Sequence, residues 1–312
     1  MKTVGFVHSG SKASFIRHLA ALHTGLGVMG AKRDVDYTIV ERWAEDNSQR
    51  LEDQIKELVD DDDVTVIVAA GGPQPAQIAK RATAGAVRRK PVVFTTVADP
   101  RGNGLVGDNL TGMAGKTSER DDDRLVLLAQ LLQDRIKNVH CLFRKGRPGL
   151  PAHKHHLRNV AGGLGLDFSD REVGDDADLD NAFAGMPRVD ALLVTADAFF
   201  NNRRKRMVEL AAGLPAVYQW REFVESGGLM SYGPNIMEAY VFAGAYAARI
   251  LRNESPADIP ISEPTYYETV INGATASRLG IEISASLISD ACATARKLSI
   301  ELPAWNGVEL IS

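Results

Sequence analysis

Cysteine is scarce in this chain: Cys141 and Cys292 are the only two in 312 residues. Two cysteines so far apart in sequence are read as unpaired, and they leave the redox compartment open. No apolar run reaches the length of a membrane span, so no membrane insertion is expected. The charge balance lacks a basic excess: the formal net charge is -4, which argues against a dominant nucleic-acid surface. Catalytic signatures are missing too. There is no G-x-S-x-G elbow, no H-E-x-x-H and no cysteine in a nucleophile context, which lowers an enzymatic reading without excluding it. The N-terminal MKTVGFVHSGS enters a strand at once, with no apolar h-region, cleavage site or lipobox cysteine. A periplasmic location therefore requires an export signal removed from the chain; otherwise the protein is cytoplasmic.

What is present is a series of strands and helices. VGFVHSG reads as a strand followed by a helix from about Ala13 to Met29. VDYTIVERWA is a second strand, and SQRLEDQIKELVD is an amphipathic helix with Leu51, Ile55 and Leu58 on one face. VTVIVAAGG, the helix PAQIAKRATAG and the strand PVVFTTVADP follow. RGNGLVGDNLTGMAG, rich in Gly and Asn, reads as an edge strand and a crossing between lobes. A second series then begins: a helix over about Asp121 to Leu132, the strand NVHCLFRKG, an irregular His-rich segment, LGLDFSDREV, VDALLVTAD, the helix RRKRMVELAA, and the strand LPAVYQW. Strands alternating with helices predict α/β architecture with parallel sheets covered on both faces. The length suffices for two domains of ordinary size.

In open α/β sheets ligands sit beyond the carboxyl ends of the strands, and that rule selects the candidate residues. In the first half these are Ser9, Gly10 and Ser11, then Gly71, Gly72 and Gln74, then Thr95 and Thr96. Glycine lets backbone approach a ligand closely, and amides at a helix start suit a carboxylate. The alternative for Ser9–Ser11 is a plain N-cap. Neither glycine turn matches a Walker sequence or a complete GxGxxG, so no nucleotide and no cofactor is expected. Asp99 reads as structural. In the second half the candidates are Asp197, Phe199, Tyr218, Ser231 and Tyr232. Asp197 suits a ligand ammonium through charge-assisted hydrogen bonds; its alternatives are an N-cap or a partner for Arg203 or Arg204. Tyr218 and Tyr232 wall a site or belong to the core. Arg221 and Glu222 read as an ion pair or helix start. His153, His155 and His156, flanked by Arg147 and Arg158 with Lys154 between them, read as a solvated basic loop rather than a metal site. The acidic runs Asp60–Asp63 and Asp121–Asp123 read as solvated, the second at a helix start where the dipole favours it.

The stretches VTADAFFNNRR and PAVYQWREFVESGGLMSYG carry more specific information. Their order, strand–AD–x–F–F, helix, LPA–x–Y, RE–F–x–x–x–GGL–x–SYG, resembles the substrate-binding proteins of ABC transporters, in the family that includes tryptophan- and phenylalanine-binding members. The resemblance runs from about Val4 to Ile281. It implies the type I periplasmic-binding-protein fold, two Rossmann-like lobes joined by a hinge of three crossings. The first lobe would be 1–116 plus 235–258, with MEAYVFAGAYAARILRN returned to it. The second would be 117–234 plus 259–312, including a C-terminal extension. It also implies a small-molecule ligand, an amino acid or other carboxylate, trapped between the lobes by hinge closure and delivered to an ABC permease. Resemblance tips Asp197 toward ligand contact. Two rival readings stand: a cytoplasmic ligand sensor on the same fold, and an α/β enzyme acting on a small carboxylate. The tail ATARKLSIELPAWNGVELIS departs from the family, with LSIEL and VELI as short strands or an arm and Trp305, beside Pro303, as an anchor.

Overall fold

The computed structural model describes residues 1–86, 89–107, 109–116, 120–298 and 305–311. Its elements form two compact units, one of residues 1–116 and 236–265, the other of residues 117–235 and 266–312.

The first unit opens β1 (Lys2–His8), α1 (Lys12–Val28), β2 (Tyr37–Trp43), α2 (Ser48–Asp60), β3 (Val64–Ala70), α3 (Pro73–Ala84), β4 (Val92–Val97) and β5 (Leu110–Ala114). All strand pairs are parallel, in the order β2-β1-β3-β4-β5. A parallel sheet needs both faces covered, and the sequence supplies the cover: Leu51, Ile55 and Leu58 of α2 are buried as their spacing predicts. The sheet core runs through Ile67, Val92 and Phe94.

The second unit continues with α4 (Asp121–Leu132), β6 (Asn138–Arg144), α5 (Leu150–Gly163), β7 (Asp167–Val173), α6 (Asp176–Ala184), β8 (Ala191–Val194), α7 (Ala198–Asn202), α8 (Arg204–Leu210), β9 (Ala216–Tyr218), α9 (Arg221–Glu225) and β10 (Met230–Pro234). The chain then adds α10 (Ile236–Leu251) to the first unit, where it packs on α1. That contact demands glycine: a Cβ at Gly25 would meet the Val241 carbonyl, and one at Gly244 the Leu22 carbonyl. Residues 259–265, expected with the second lobe, stay with the first unit because Ser262 extends its edge. The Ser262 amide donates to Gly112 O (3.1 Å), and the Ala114 amide donates to Ser262 O (2.8 Å).

The second unit closes with β11 (Tyr267–Asn272), α11 (Gly273–Arg278), α12 (Leu287–Lys297) and β12 (Trp305–Ile311). Its sheet runs β12-β11-β10-β9-β8-β6-β7. One pair, β10 with β11, is antiparallel, a departure from the expected all-parallel sheet. No βαβ crossover within this unit links β10 to β11, and the crossover is what enforces parallel entry. The tail is thus part of the fold: α12 meets α4 through Gln130, whose side-chain amide donates to Thr294 Oγ1 (3.0 Å), and β12 extends the sheet. The Leu298–Leu302 strand expectation falls largely outside the described residues, as do Pro303 and the Trp305 side chain.

Two further expectations are corrected. The His-rich segment is helix α5, started at Gly149 in the left-handed conformation with Pro151 in its first turn. Nor is the run Asp121–Asp123 solvated: Asp121 and Asp123 are fully buried, each facing a cation. Arg124 donates to Asp121 Oδ1 and, through Nε, to Tyr232 O (2.6 Å), while His153 Nε2 lies 3.2 Å from Asp121 Oδ2 and Arg120 Nη1 lies 3.3 Å from Asp123. Partnering, not solvation, is what lets these carboxylates sit in the interior.

Candidate ligand-binding site

Parallel order fixes where each sheet offers a crevice. From β1 the chain builds outward to β2 on one side and β3 on the other, so the first sheet changes direction between β1 and β3. The second sheet repeats the pattern with β7 and β8 on either side of β6. Ligands of open α/β sheets bind at such switch points.

At the first switch point stand Ser9–Ser11 and Gly71–Gln74. Most of their polar groups already serve the fold. Ser9 Oγ donates to Gly71 O (2.9 Å), and a Cβ at Gly71 (φ 94°) would collide with that hydroxyl. Ser11 caps α1, its Oγ accepting from the Ser14 amide (3.3 Å). The Gly10 amide donates to His8 Nδ1 (2.8 Å), which leaves the His8 Nε2 hydrogen for the Tyr240 hydroxyl (2.9 Å). Gly72 precedes α3 with φ 101°, and Gln74 donates to Ser48 Oγ (3.1 Å). Thr95, fully buried, has no partner for Oγ1 among the described residues. Thr96 is held at φ 50° where the β4–β5 register shifts, a conformation costing about 1–3 kcal/mol. Asp99 caps its own loop, accepting from the Gly102 amide (2.8 Å).

At the second switch point Arg144 ends β6 and Asp197 follows β8. Asp197 Oδ1 accepts from the Phe199 amide (2.8 Å), the N-cap that stood as the alternative to ligand contact, and lies 3.9 Å from Arg144 Nε. Among the described residues Oδ2 has no hydrogen-bond partner, and about a quarter of the side chain is exposed (26%). Burial pushes this carboxyl above its usual range, against the pull of the Phe199 amide, Arg144 and Arg147. Its cationic neighbour is therefore Arg144 rather than Arg203 or Arg204. Phe199 does not stand as a bare wall: the guanidinium carbons of Arg144 and Arg203 lie 4.3 and 3.9 Å from its ring centre. Arg203 also pairs with Asp176, and Arg147 donates to Ala196 O (3.3 Å).

The remaining candidates are interior. Tyr218 is buried and stacks on Phe223 at 4.6 Å; burial pushes its phenol well up. Gly228 leaves room for that ring. Tyr232 is buried in the sheet, beside Tyr267. Ser231 is buried too, with no partner for Oγ among the described residues. Arg221 pairs with Glu225, Glu268 and Glu309 rather than Glu222, tying β12 to the unit. Among the described residues no group of three or more metal-ligating side chains forms a metal site, and no helix is long and apolar enough to cross a membrane.

Sequence reading missed Arg144, Arg147 and His8. Arg144 ends NVHCLFRKG as a basic residue at a strand terminus, which is a visible signal. Its position at the switch point depends on strand order, which the sequence does not display.

Solved structures share this fold. An ABC domain from Streptococcus pneumonia, in complex with L-Trp, is 21% identical with TM-score 0.78, covering 99% of this chain and 100% of its own. A conserved domain protein from Vibrio cholerae is 21% identical with TM-score 0.80, covering 93% and 98%. The ligand-free, open substrate-binding protein with adhesive properties from Clostridium difficile is 18% identical with TM-score 0.67, covering 100% and 99%. A search of curated proteins found no match. The fold is that of the type I periplasmic binding proteins, two α/β units with largely parallel sheets. The chain belongs to the ABC transporter substrate binding protein family, whose model matches residues 12–295.

Proposed function

We propose that this protein binds a small organic molecule, an amino acid or another small carboxylate, and delivers it to an ABC permease. The observation that carries the reading is Asp197. It stands at a topological switch point, it is partly desolvated, and one of its carboxylate oxygens has no partner among the described residues. A carboxylate so placed gains most from a cationic group brought by a ligand, because charge-assisted hydrogen bonds strengthen as water is excluded. In the first unit Gly71 and Gly72 open the strand-end loop that precedes α3, while the Gly10 amide is held by His8 and Thr95 lies buried at the end of β4. Ser9, Ser11 and Gln74 would shape that loop from within. Ser231, Tyr218 and Tyr232 would support the second unit's rim. Binding is stoichiometric in this reading, without turnover. Delivery to a permease places the protein outside the cytoplasmic membrane.

The test is a thermal-shift screen against amino acids, small carboxylates, nucleosides and aromatic acids, starting with L-tryptophan, which the Streptococcus pneumonia structure holds. A ligand that binds only the folded state raises the melting temperature with dose. A shift confined to nucleosides, or none with any amino acid or carboxylate, would contradict the proposal.

A further inference from the structure

Arg144 is held in place by the fold yet keeps part of its guanidinium unused. Its Nη1 donates to Gly174 O and Val173 O (3.0 Å), which fixes the guanidinium at the end of β7. Its face lies over Phe199, a contact that favours a cation and restrains the side chain. Nη2 has no hydrogen-bond partner among the described residues, and 28% of the side chain is exposed. The neighbouring Asp197 likewise keeps Oδ2 unused. The two groups approach only to 3.9 Å, through Nε and Oδ1. A settled Arg–carboxylate pair would close to a bidentate contact of about 2.7–2.9 Å. Held at this separation, the pair presents one positive and one negative edge side by side.

We infer that Arg144 and Asp197 together read both charges of a zwitterion: Asp197 takes the ammonium and Arg144 the carboxylate of an α-amino acid. Phe199 and Arg203 act behind them. Phe199 is the platform that holds Arg144 in place, and Arg203 is tied off by Asp176. Phe199, with two guanidiniums over its ring, serves as that platform rather than as a stacking surface for the ligand. This inference rests on the ligand-binding reading above and narrows it. Amines without an adjacent carboxylate, sugars, and carboxylates without an amine each satisfy only half of the pair.

The experiment compares L-tryptophan, L-leucine and L-glutamate with their α-amides, by calorimetric titration of the wild-type chain and of Arg144→Met and Arg144→Lys. The wild-type comparison needs no variant and so is independent of any folding defect. At least one acid is expected to bind at least tenfold more tightly than its α-amide. Arg144→Met should bring that ratio below about threefold by weakening the acid alone, and Arg144→Lys should fall between. An amide that binds as tightly as its acid would overturn the inference while leaving the ligand-binding reading intact, as would an Arg144→Met protein that keeps the full ratio. No binding of any acid would overturn the amino-acid reading and this inference with it.

Discussion

The two sheets reach their switch points by the same strand order and furnish them with opposite chemistry. Between β1 and β3 the polar groups are largely consumed. Ser9 is bonded to Gly71, Ser11 to the first turn of α1, and the Gly10 amide to His8. Between β6 and β8 the groups are charged and only partly used: Asp197 caps one amide, Arg144 holds two carbonyls, and each keeps a free edge. Equal topology therefore does not make the two positions equal. A hydroxyl at a helix start meets an orphan amide three residues away and is satisfied locally. A guanidinium and a carboxylate kept 3.9 Å apart by other contacts leave an incomplete electrostatic pair.

Breaking the scaffold of the second unit should have the largest effect. Asp121→Ala leaves the fully buried Arg124 without its carboxylate, which costs about 3–5 kcal/mol. Chemical denaturation should show that loss, and binding should fall with the folded fraction. Next comes Asp197→Asn. Losing a charged hydrogen bond of about 1.5–3 kcal/mol weakens ligand binding by roughly ten- to a hundredfold. The melting temperature should barely move, because asparagine caps a helix as well as aspartate does.

A pH series sharpens the same contrast inside the second unit. Burial, then the neighbouring Asp122, pushes Asp123 up to about 7, against Arg120 and Arg124. The folded pKa thus exceeds the unfolded value of about 3.9. Below about pH 4 both states hold the proton. Between about 4 and 7 unfolding releases it, so this group's contribution to stability falls as pH rises. Asp123→Asn should remove that slope and melt a few degrees higher than wild type at pH 8. Ser11→Ala should do least. It removes the cap of α1 at about 0.5–2 kcal/mol and leaves affinity within threefold.

Periodicity exposed most of the strands and helices, because buried parallel strands read as apolar runs and α2 carries its core residues at helical spacing. It failed at α5, where three histidines and a Pro-Gly start hide a helix whose buried face is Leu150, Leu157, Val160 and Ala161. Charge misled at Asp121–Asp123, since burial of a carboxylate depends on partners as distant in sequence as His153. Asp197 was legible because the polar end of an apolar strand marks a sheet rim. Arg144 was not, because its place beside Asp197 comes from β6 and β8 being neighbours, a fact of topology. For Tyr218 the sequence leaves wall and core open, and the backbone at Gly228 decides for the core by folding tightly enough to enclose its ring against Phe223.

The most direct test is calorimetric titration of wild type, Asp197→Asn and Ser11→Ala with the amino acid or carboxylate that gives the largest thermal shift. Asp197→Asn should lose at least tenfold in affinity at unchanged melting temperature, and Ser11→Ala less than threefold. Full affinity in Asp197→Asn together with a large loss in Ser11→Ala would contradict ligand contact at Asp197, placing charge recognition at the first sheet instead.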